Sequence, residues 1–200
     1  MNSTVEYYNQ NAESFIRTTL PIDMSSSRDR FLRHVLPGGR VLDAGCGSGR
    51  DALAFQKAGY QTDAFDASEE MCRHASELLG LPVACRRFEE LSGEAEYDGI
   101  WACASLIHVY SSDLPDALRR LYALLKPGGV IYASFKEGST ERMQDGRYFH
   151  DLTEEACRGL FQNAGFSTEE LYISFDANPS RADVRWINII AKKGTSQAAG

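Results

Sequence analysis

Short hydrophobic runs of strand length alternate along most of the chain with segments in which apolar residues recur at helical spacing. The runs that predict strands cover residues 40–44, 61–66, 82–86, 97–102 and 130–135. The segments that predict helices between them cover residues 51–57, 69–79 and 113–125. Strands that alternate with helices in this way are typical of an α/β fold, in which a parallel sheet carries helices on both faces.

The two ends of the chain add helices and a pair of alternating segments. Residues 3–20 and 25–36 predict two helices before the first strand, and residues 151–164 predict a last helix. The segments 166–176 and 183–192 alternate in polarity, which predicts an antiparallel hairpin at the sheet edge. The polar stretch 136–150 is too long for an ordinary connection, so a mobile loop that carries specificity is expected there.

A single domain is expected for a chain of this length. Two hundred residues with 43% hydrophobic content fit one α/β core, which at this size buries about 70% of the unfolded surface. We expect a helical cap over residues 1–37, a core over 38–193 and a disordered tail over 194–200.

Charge and cysteine content argue against several classes of function. The net charge of −7 and the lack of clustered Lys and Arg disfavour a nucleic-acid partner, and no apolar run reaches membrane-spanning length. The five cysteines are scattered and never in C-x-x-C spacing, so neither a disulfide framework nor a metal site is indicated. The composition predicts a soluble cytoplasmic protein, a monomer or homodimer, that acts on a small molecule.

Residues 40–57 predict a strand, a tight turn with three glycines, and a helix. Glycine permits positive φ in such a turn and leaves bare main chain against which a ligand can lie. The dinucleotide pattern G-x-G-x-x-G is broken, because Arg50 or Ala52 stands at the third glycine, depending on the frame. The carboxylate of Asp43 would repel a pyrophosphate but suits a ligand that carries ammonium and sulfonium groups. A nicotinamide cofactor is therefore the weaker alternative.

Three carboxylates follow three successive predicted strands at equal spacing. Asp66 lies 23 residues after Asp43, and Glu89 lies 23 residues after Asp66. Because parallel strands end at one edge of a sheet, these residues are predicted to line one crevice. Asp66 has the position of an acidic residue that binds a ribose diol, and its alternative role is the N-cap of the next helix.

The run Leu-Asp-Ala-Gly-Cys-Gly-Ser-Gly over residues 42–49 resembles the first motif of class I S-adenosylmethionine (SAM) dependent methyltransferases. Later landmarks fall in that family's order, at residues 65–68, 88–91, 97–100 and 125–129. The small-molecule branches, such as methyltransferase type 11/12 domains and tellurite-resistance enzymes, are the most similar. The resemblance covers roughly residues 7–193. It implies a Rossmann-like, doubly wound sheet of seven mostly parallel strands with an N-terminal helical lid.

The resemblance also implies a cofactor, a reaction and a set of site residues. SAM would be the cofactor, and its methyl group would pass to a small-molecule acceptor by in-line displacement. Tyr8, in a Tyr-x-x-x-Ala-x-x-Phe pattern, is expected to fold over SAM and position the reactants, and His108 to orient or deprotonate the acceptor. The residues expected at the cofactor are Tyr8, Asp43, Gly45, Cys46, Gly47, Arg50, Asp66, Ala67, Met71, Phe88, Glu89, Ala102 and Ala104. Those expected at the acceptor are Lys136, Arg147, Tyr148 and His150.

Structural roles stay open for several of these residues. The helix that carries Tyr8 could simply cover a sheet edge, and His108 could be hydrogen-bonded to the backbone. Arg50 could lie on a helix surface, Met71 could pack in the core, and each loop residue could be solvated. Two other functions also stay open: a SAM-binding regulator without catalysis, and a nicotinamide-dependent oxidoreductase.

Overall fold

The structure, a computed structural model, describes residues 3–195. Its strands are β1 (Arg40–Ala44), β2 (Gln61–Asp66), β3 (Ala84–Cys85), β4 (Tyr97–Ala102), β5 (Leu125–Lys136), β6 (Glu141–Gln144), β7 (Arg147–His150), β8 (Phe166–Phe175) and β9 (Arg185–Lys193). Its helices are α1 (Ser3–Thr19), α2 (Ser25–Leu32), α3 (Arg50–Lys57), α4 (Glu69–Leu79), α5 (Leu114–Leu124) and α6 (Glu154–Asn163). None of the helices within residues 3–195 has the length and apolar character needed to cross a membrane.

Seven of the strands form one sheet in the order β3-β2-β1-β4-β5-β9-β8. β1 pairs in parallel with both β2 and β4, and parallel pairing continues to β3 on one side and to β5 on the other. β9 runs antiparallel between β5 and β8. This arrangement confirms the predicted doubly wound, mostly parallel sheet with a C-terminal antiparallel hairpin. The strand order reverses between β1 and β4, so a crevice opens beyond the carboxyl ends of these two strands.

The central strands are buried on both faces, which accounts for their nearly continuous hydrophobic sequence. Ile100 and Trp101 of β4 are fully buried and belong to core clusters on opposite sides of the sheet. The Trp101 ring stacks on Tyr132 of β5, with ring centroids 3.9 Å apart. Phe31 of α2 and Phe55 of α3 pack against the same indole and thereby fix both helices on the sheet.

The stretch 136–150 is not the mobile loop that the sequence analysis predicts. It contains a two-stranded hairpin, β6 paired antiparallel with β7, and Tyr148 and Phe149 of β7 are buried. The turn residues Asp145 and Gly146 both have positive φ, 51° and 77°. Asp-Gly at a two-residue turn is a strong signal for a tight hairpin, and the expectation of a solvated loop overlooked it.

Several predicted boundaries also shift. α2 ends at Leu32 rather than near residue 36, β3 has two residues rather than five, and the chain passes from α5 directly into β5. Ser68 and Thr153 cap α4 and α6, because their hydroxyls accept hydrogen bonds from the first turns of these helices. At the start of α2 the N-cap residue is Met24, which makes no side-chain capping hydrogen bond. Of the predicted disordered tail, residues 196–200 lie outside the described range.

Helix α1 is attached to the rest of the fold at three places along its length. The Thr4 hydroxyl accepts a hydrogen bond from the N–H of Tyr148 in β7 (2.9 Å). Asn9 Oδ1 accepts one from Ser68 Oγ at the start of α4 (2.6 Å). Arg50, at the start of α3, donates to the carbonyl of the last residue of α1 (3.2 Å). Because these partners lie at the crevice end of the sheet, α1 crosses that end.

Candidate active site

A cavity of about 1040 Å³ lies beyond the carboxyl ends of the central strands. Its wall comes from α1, the turn between β1 and α3, the ends of β2 and β4, strands β5 and β7, and the C-terminal hairpin. Small-molecule sites usually measure about 300–1000 Å³ and favour the switch point of an α/β sheet. The cavity is large enough for two small ligands side by side.

The glycine turn forms one wall of this cavity through its main chain. The N–H groups of Gly45 and Cys46 both donate to the carbonyl of Phe65, each at 2.9 Å, which ties the turn to β2. Gly45 has φ of 78°, and a Cβ added there would lie 2.5 Å from Cβ of Ser105. Ser105 in turn donates to the Ala44 carbonyl at 2.6 Å. A side chain at position 45 would therefore be strained and would separate the turn from the segment after β4.

Asp66 lies at the end of β2 and faces the glycine turn. Its carboxylate accepts hydrogen bonds from the N–H of Gly47 (2.8 Å) and of Ser68 (3.0 Å). Burial raises the pKa of Asp66, and the N–H donors of Ser68, Gly47 and Ala67 oppose that rise. The N-cap of α4 is Ser68, so Asp66 is not that cap. Asp66 lines the cavity with a carboxylate that the turn holds in place.

Asp43 is buried behind the turn. Its carboxylate accepts a hydrogen bond from the N–H of Ala52 (3.0 Å), near the start of α3. Burial and the charge of Asp51 raise its pKa well above the usual value for a carboxyl group. Asp43 therefore joins β1 to α3 in addition to lining the cavity.

Tyr8 and His108 form a hydrogen-bonded pair across the cavity. The Tyr8 hydroxyl lies 2.9 Å from His108 Nε2, and His108 Nδ1 lies 2.7 Å from the carbonyl of Tyr148. Because a carbonyl can only accept, Nδ1 carries the proton and the Tyr8 hydroxyl donates to Nε2. Burial raises the pKa of Tyr8 to about 12 and lowers that of His108 to about 4. The pair is therefore neutral at physiological pH.

Strand alternation separates the residues expected at the acceptor. Arg147 and Phe149 of β7 line the cavity together with Lys136 at the end of β5. Tyr148 and His150 point to the other face of β7 and lie outside the wall, since successive side chains of a strand alternate. The expectation of direct ligand contact is corrected for these two residues. Tyr148 instead bonds to Glu141 of β6 through its hydroxyl and to His108 through its carbonyl.

Known proteins resemble this chain in sequence and in structure. A family model described as a methyltransferase domain matches residues 41–129, from β1 to the first part of β5. A malonyl-[acyl-carrier protein] O-methyltransferase of Erwinia pyrifoliae is 35% identical over 129 residues, 58% of this chain and 45% of that protein. A ubiquinone biosynthesis O-methyltransferase of Methylocella silvestris is 37% identical over 113 residues, 54% of this chain and 43% of that protein.

Over residues 41–129 the chain is similar to a methyltransferase domain. Its matched part spans less than half the length of these two relatives. A solved structure, a Burkholderia thailandensis 1,6-didemethyltoxoflavin-N1-methyltransferase with its substrate and S-adenosylhomocysteine bound, superposes with a TM-score of 0.79. It is 24% identical, and the superposition covers 95% of this chain and 85% of that one, so the likeness concerns the fold.

Most residues that the family resemblance assigned to the cofactor line the cavity. Ala102 does not: its side chain is fully buried in the core under β4, so its assignment is corrected. Arg50 lines the cavity, but its guanidinium is already engaged by both carboxylate oxygens of Asp51. The lining residues from that set are Tyr8, Asp43, Gly45, Cys46, Gly47, Arg50, Asp66, Ala67, Met71, Phe88, Glu89 and Ala104.

Two contributors to the site were not found from the sequence. Asn9 anchors α1 on α4, and Ser105 locks the glycine turn. The partners of Asn9 and Ser105 are 59 and 61 residues away, so no local pattern marks them. Phe149, in the stretch expected to hold the acceptor, lines the cavity because the hairpin places it on the same face of β7 as Arg147.

Lowering the pH is expected to destabilise the protein through His108. The pKa of about 4 in the folded state is below the ordinary value of about 6.5, so stability is lost as pH falls through this interval. At about pH 5 the expected loss is roughly 2 kcal/mol, because the unfolded chain binds a proton that the folded protein does not. Urea unfolding near pH 7.5 and near pH 5 measures this loss of stability. Between the two pH values, His108→Gln should lose less stability than the wild type by that amount. An equal loss in both proteins would contradict the assignment.

Proposed function

We propose that this protein transfers the methyl group of SAM to a small-molecule acceptor. The observation that carries the proposal is the meeting of the glycine turn and Asp66 at the switch point of the sheet, where Asp66 accepts the Gly47 N–H at 2.8 Å. A ribose-binding carboxylate is expected at that place in the fold. The neighbouring cavity has room for an acceptor beside the cofactor.

The residues at this end fit SAM in their chemistry. The Asp66 carboxylate offers oxygens to the ribose hydroxyls, while Met71 and Phe88 offer apolar surface to the adenine ring. Phe88 is held edge-to-face on Phe65, with ring centroids 5.3 Å apart, so its position is set by the core. The turn around Cys46 presents bare main chain to the amino-acid part.

The chain's contribution to the chemistry is alignment rather than a covalent nucleophile. SAM, when bound, supplies a methyl group on a sulfonium, so that the acceptor's lone pair forms the new bond while the carbon–sulfur pair returns to sulfur. Holding two reactants in line contributes up to about 7–11 kcal/mol in intramolecular models. Helix α1 places Tyr8 and Phe15 over this end of the cavity, where they exclude water.

We assign the Tyr8–His108 pair to positioning rather than to proton removal. His108 Nε2 could accept a proton only after the Tyr8 hydroxyl leaves it, because the other ring nitrogen donates to the Tyr148 carbonyl. A positioned base adds about 10²- to 10⁴-fold to a rate, which is less than alignment can contribute.

The relatives support a small-molecule acceptor without selecting the acceptor atom. By name they act on a malonyl group on acyl-carrier protein, in ubiquinone biosynthesis, and on a toxoflavin precursor. These names include oxygen and nitrogen acceptors. We therefore propose the same class of reaction for this chain, and we do not assign it the substrate of any one relative.

Calorimetric titration with S-adenosylhomocysteine tests the proposal, with NADH as the control ligand. We expect S-adenosylhomocysteine to bind in about the micromolar range, near −8 kcal/mol, and NADH not to bind. Release of S-adenosylhomocysteine from SAM in the presence of an acceptor panel then distinguishes an enzyme from a SAM-binding regulator. Binding of NADH alone, or of neither ligand, would overturn the proposal.

We also propose that the protein acts in the cytoplasm. All five cysteines are free thiols, and Cys46, Cys72 and Cys157 are buried. Thiols that never pair are typical of proteins in a reducing compartment.

A further inference from the structure

Two cationic side chains line the part of the cavity beyond the Tyr8–His108 pair. Lys136 Nζ lies 4.2 Å from the ring centroid of Phe149, and the Arg147 guanidinium carbon lies 5.2 Å from it. Phe149 in turn packs edge-to-face on His108, with ring centroids 4.9 Å apart. The two cations therefore lie on an aromatic surface next to the expected site of methyl transfer.

The carboxylates near these cations are paired with arginines. Asp151 is paired with Arg142 through Oδ2, while its buried Oδ1 has no hydrogen-bond partner within residues 3–195, and Asp176 accepts from Arg181 at 3.3 Å. The ion pair of Arg147 is with Asp145 at 3.7 Å, and the Asp145 side chain is 68% exposed. Exposed pairs of this kind contribute little binding energy.

Neither cation is fully satisfied by the rest of the described chain. Within residues 3–195, Arg147 Nε is buried and has no hydrogen-bond partner. Lys136 lies over the rings of Phe149 and Trp186 instead of on a carboxylate. A buried donor without a partner costs free energy unless a ligand supplies an acceptor.

Positive charge is concentrated around Lys136 in a protein whose net charge is −7. Burial lowers the pKa of Lys136, and the charges of Arg142, Arg181 and Arg147 lower it further, while the charge of Asp151 opposes them. Cations held together in a partly buried place repel each other. Because an anion bound there would offset that repulsion, the site favours an anionic ligand.

We propose that the methyl acceptor is a planar, apolar molecule that carries a carboxylate, which Lys136 and Arg147 bind. Phe149 and Trp186 supply the flat apolar surface for the body of the acceptor, and Arg147 Nε supplies a donor for the carboxylate. This inference rests on the proposed methyl transfer and specifies its substrate class.

The test compares carboxylates with their neutral amides on protein saturated with S-adenosylhomocysteine. Benzoate, 1-naphthoate and indole-3-carboxylate are titrated by calorimetry, each against its own carboxamide. We expect at least one acid to bind about tenfold or more tightly than its amide, because a charge-assisted hydrogen bond exceeds a neutral one by that order. In Lys136→Met and in Arg147→Met the preference should fall to about twofold or less.

Matched variants separate this inference from the proposed function. Lys136→Arg should keep the preference for the acid, and Arg158→Met, on the exposed side of α6, should leave it unchanged. If S-adenosylhomocysteine binds but acids and amides bind equally or not at all, the carboxylate inference is overturned and methyl transfer stands. If S-adenosylhomocysteine does not bind to the wild-type protein, both are overturned.

Discussion

Replacing Asp51 by alanine is expected to lower the free energy of unfolding by about 3–5 kcal/mol, the usual effect of removing one partner from a buried ion pair. The Asp51 side chain is 5% exposed and accepts from Arg28 (2.6 Å), from Arg50 (2.7 Å) and from the indole N–H of Trp101 (3.1 Å). Burial opposes ionisation of Asp51, but the two arginines outweigh it and hold its pKa below the usual value. The variant would leave two half-buried cations, Arg28 and Arg50, and one buried N–H without this acceptor.

Urea unfolding at neutral pH measures this loss. Asp116→Ala is the matched control, because Asp116 also pairs with two arginines, Arg119 and Arg120, but on the exposed side of α5. Little change is expected there, since exposed ion pairs are screened by water. Asp51→Asn, which keeps an acceptor oxygen but removes the charge, should fall between the two. Equal stability of Asp51→Ala and Asp116→Ala would show that the buried network does not hold α2 and α3 on the sheet.

Replacing Asp66 by alanine is expected to weaken S-adenosylhomocysteine binding by about a hundredfold or more. Two hydrogen bonds from ribose hydroxyls to a carboxylate are worth about 1.5–3 kcal/mol each, and 1.4 kcal/mol is a factor of ten in affinity. Asp66 is already oriented by the N–H groups of Gly47 and Ser68, so little of that energy is lost in ordering it. Calorimetric titration of the wild-type protein and the variant gives the two dissociation constants.

Two further variants test whether the loss of binding is specific to the Asp66 carboxylate. Asp63→Ala alters the same strand at its exposed end, where Asp63 pairs with Arg40 at 2.7 Å, and should bind S-adenosylhomocysteine as the wild type does. Asp66→Asn keeps one acceptor oxygen for the turn and should lose less affinity than Asp66→Ala. If Asp66→Ala folds and binds as tightly as the wild type, Asp66 has no role at the ribose.

The fold could be predicted from the sequence because its signals are local. Hydrophobic runs with helices between them identify β1, β2 and β4, and the alternation after α6 identifies the hairpin of β8 and β9. The length of a strand was harder to predict where pairing with the neighbouring strand decides it. β3 keeps two residues because only Phe65 and Asp66 of β2 pair with it, although its hydrophobic run is longer.

The residues of the candidate site also fall into two groups, those that a local pattern predicts and those whose position depends on strand pairing. Asp66, Gly45 and Gly47 were predicted as cofactor residues from a turn motif and a spacing that strand ends impose, and the cavity wall contains all three. Tyr148 and His150 were predicted as acceptor contacts on the assumption of a loop. The tight turn at Gly146 makes β7 a strand, and alternation then turns both side chains away from the cavity.

The sequence by itself determined the doubly wound fold, the glycine turn and the row of carboxylates at the strand ends, because each depends on neighbours in the chain. Only the tertiary structure decided which groups meet across the crevice. The Tyr8–His108 pair spans 100 residues, the Asp51–Trp101 hydrogen bond spans 50, and Lys136 and Arg147 meet on Phe149 through the folding of a hairpin. Such contacts depend on the packing of whole elements, for which no local pattern of residues is required.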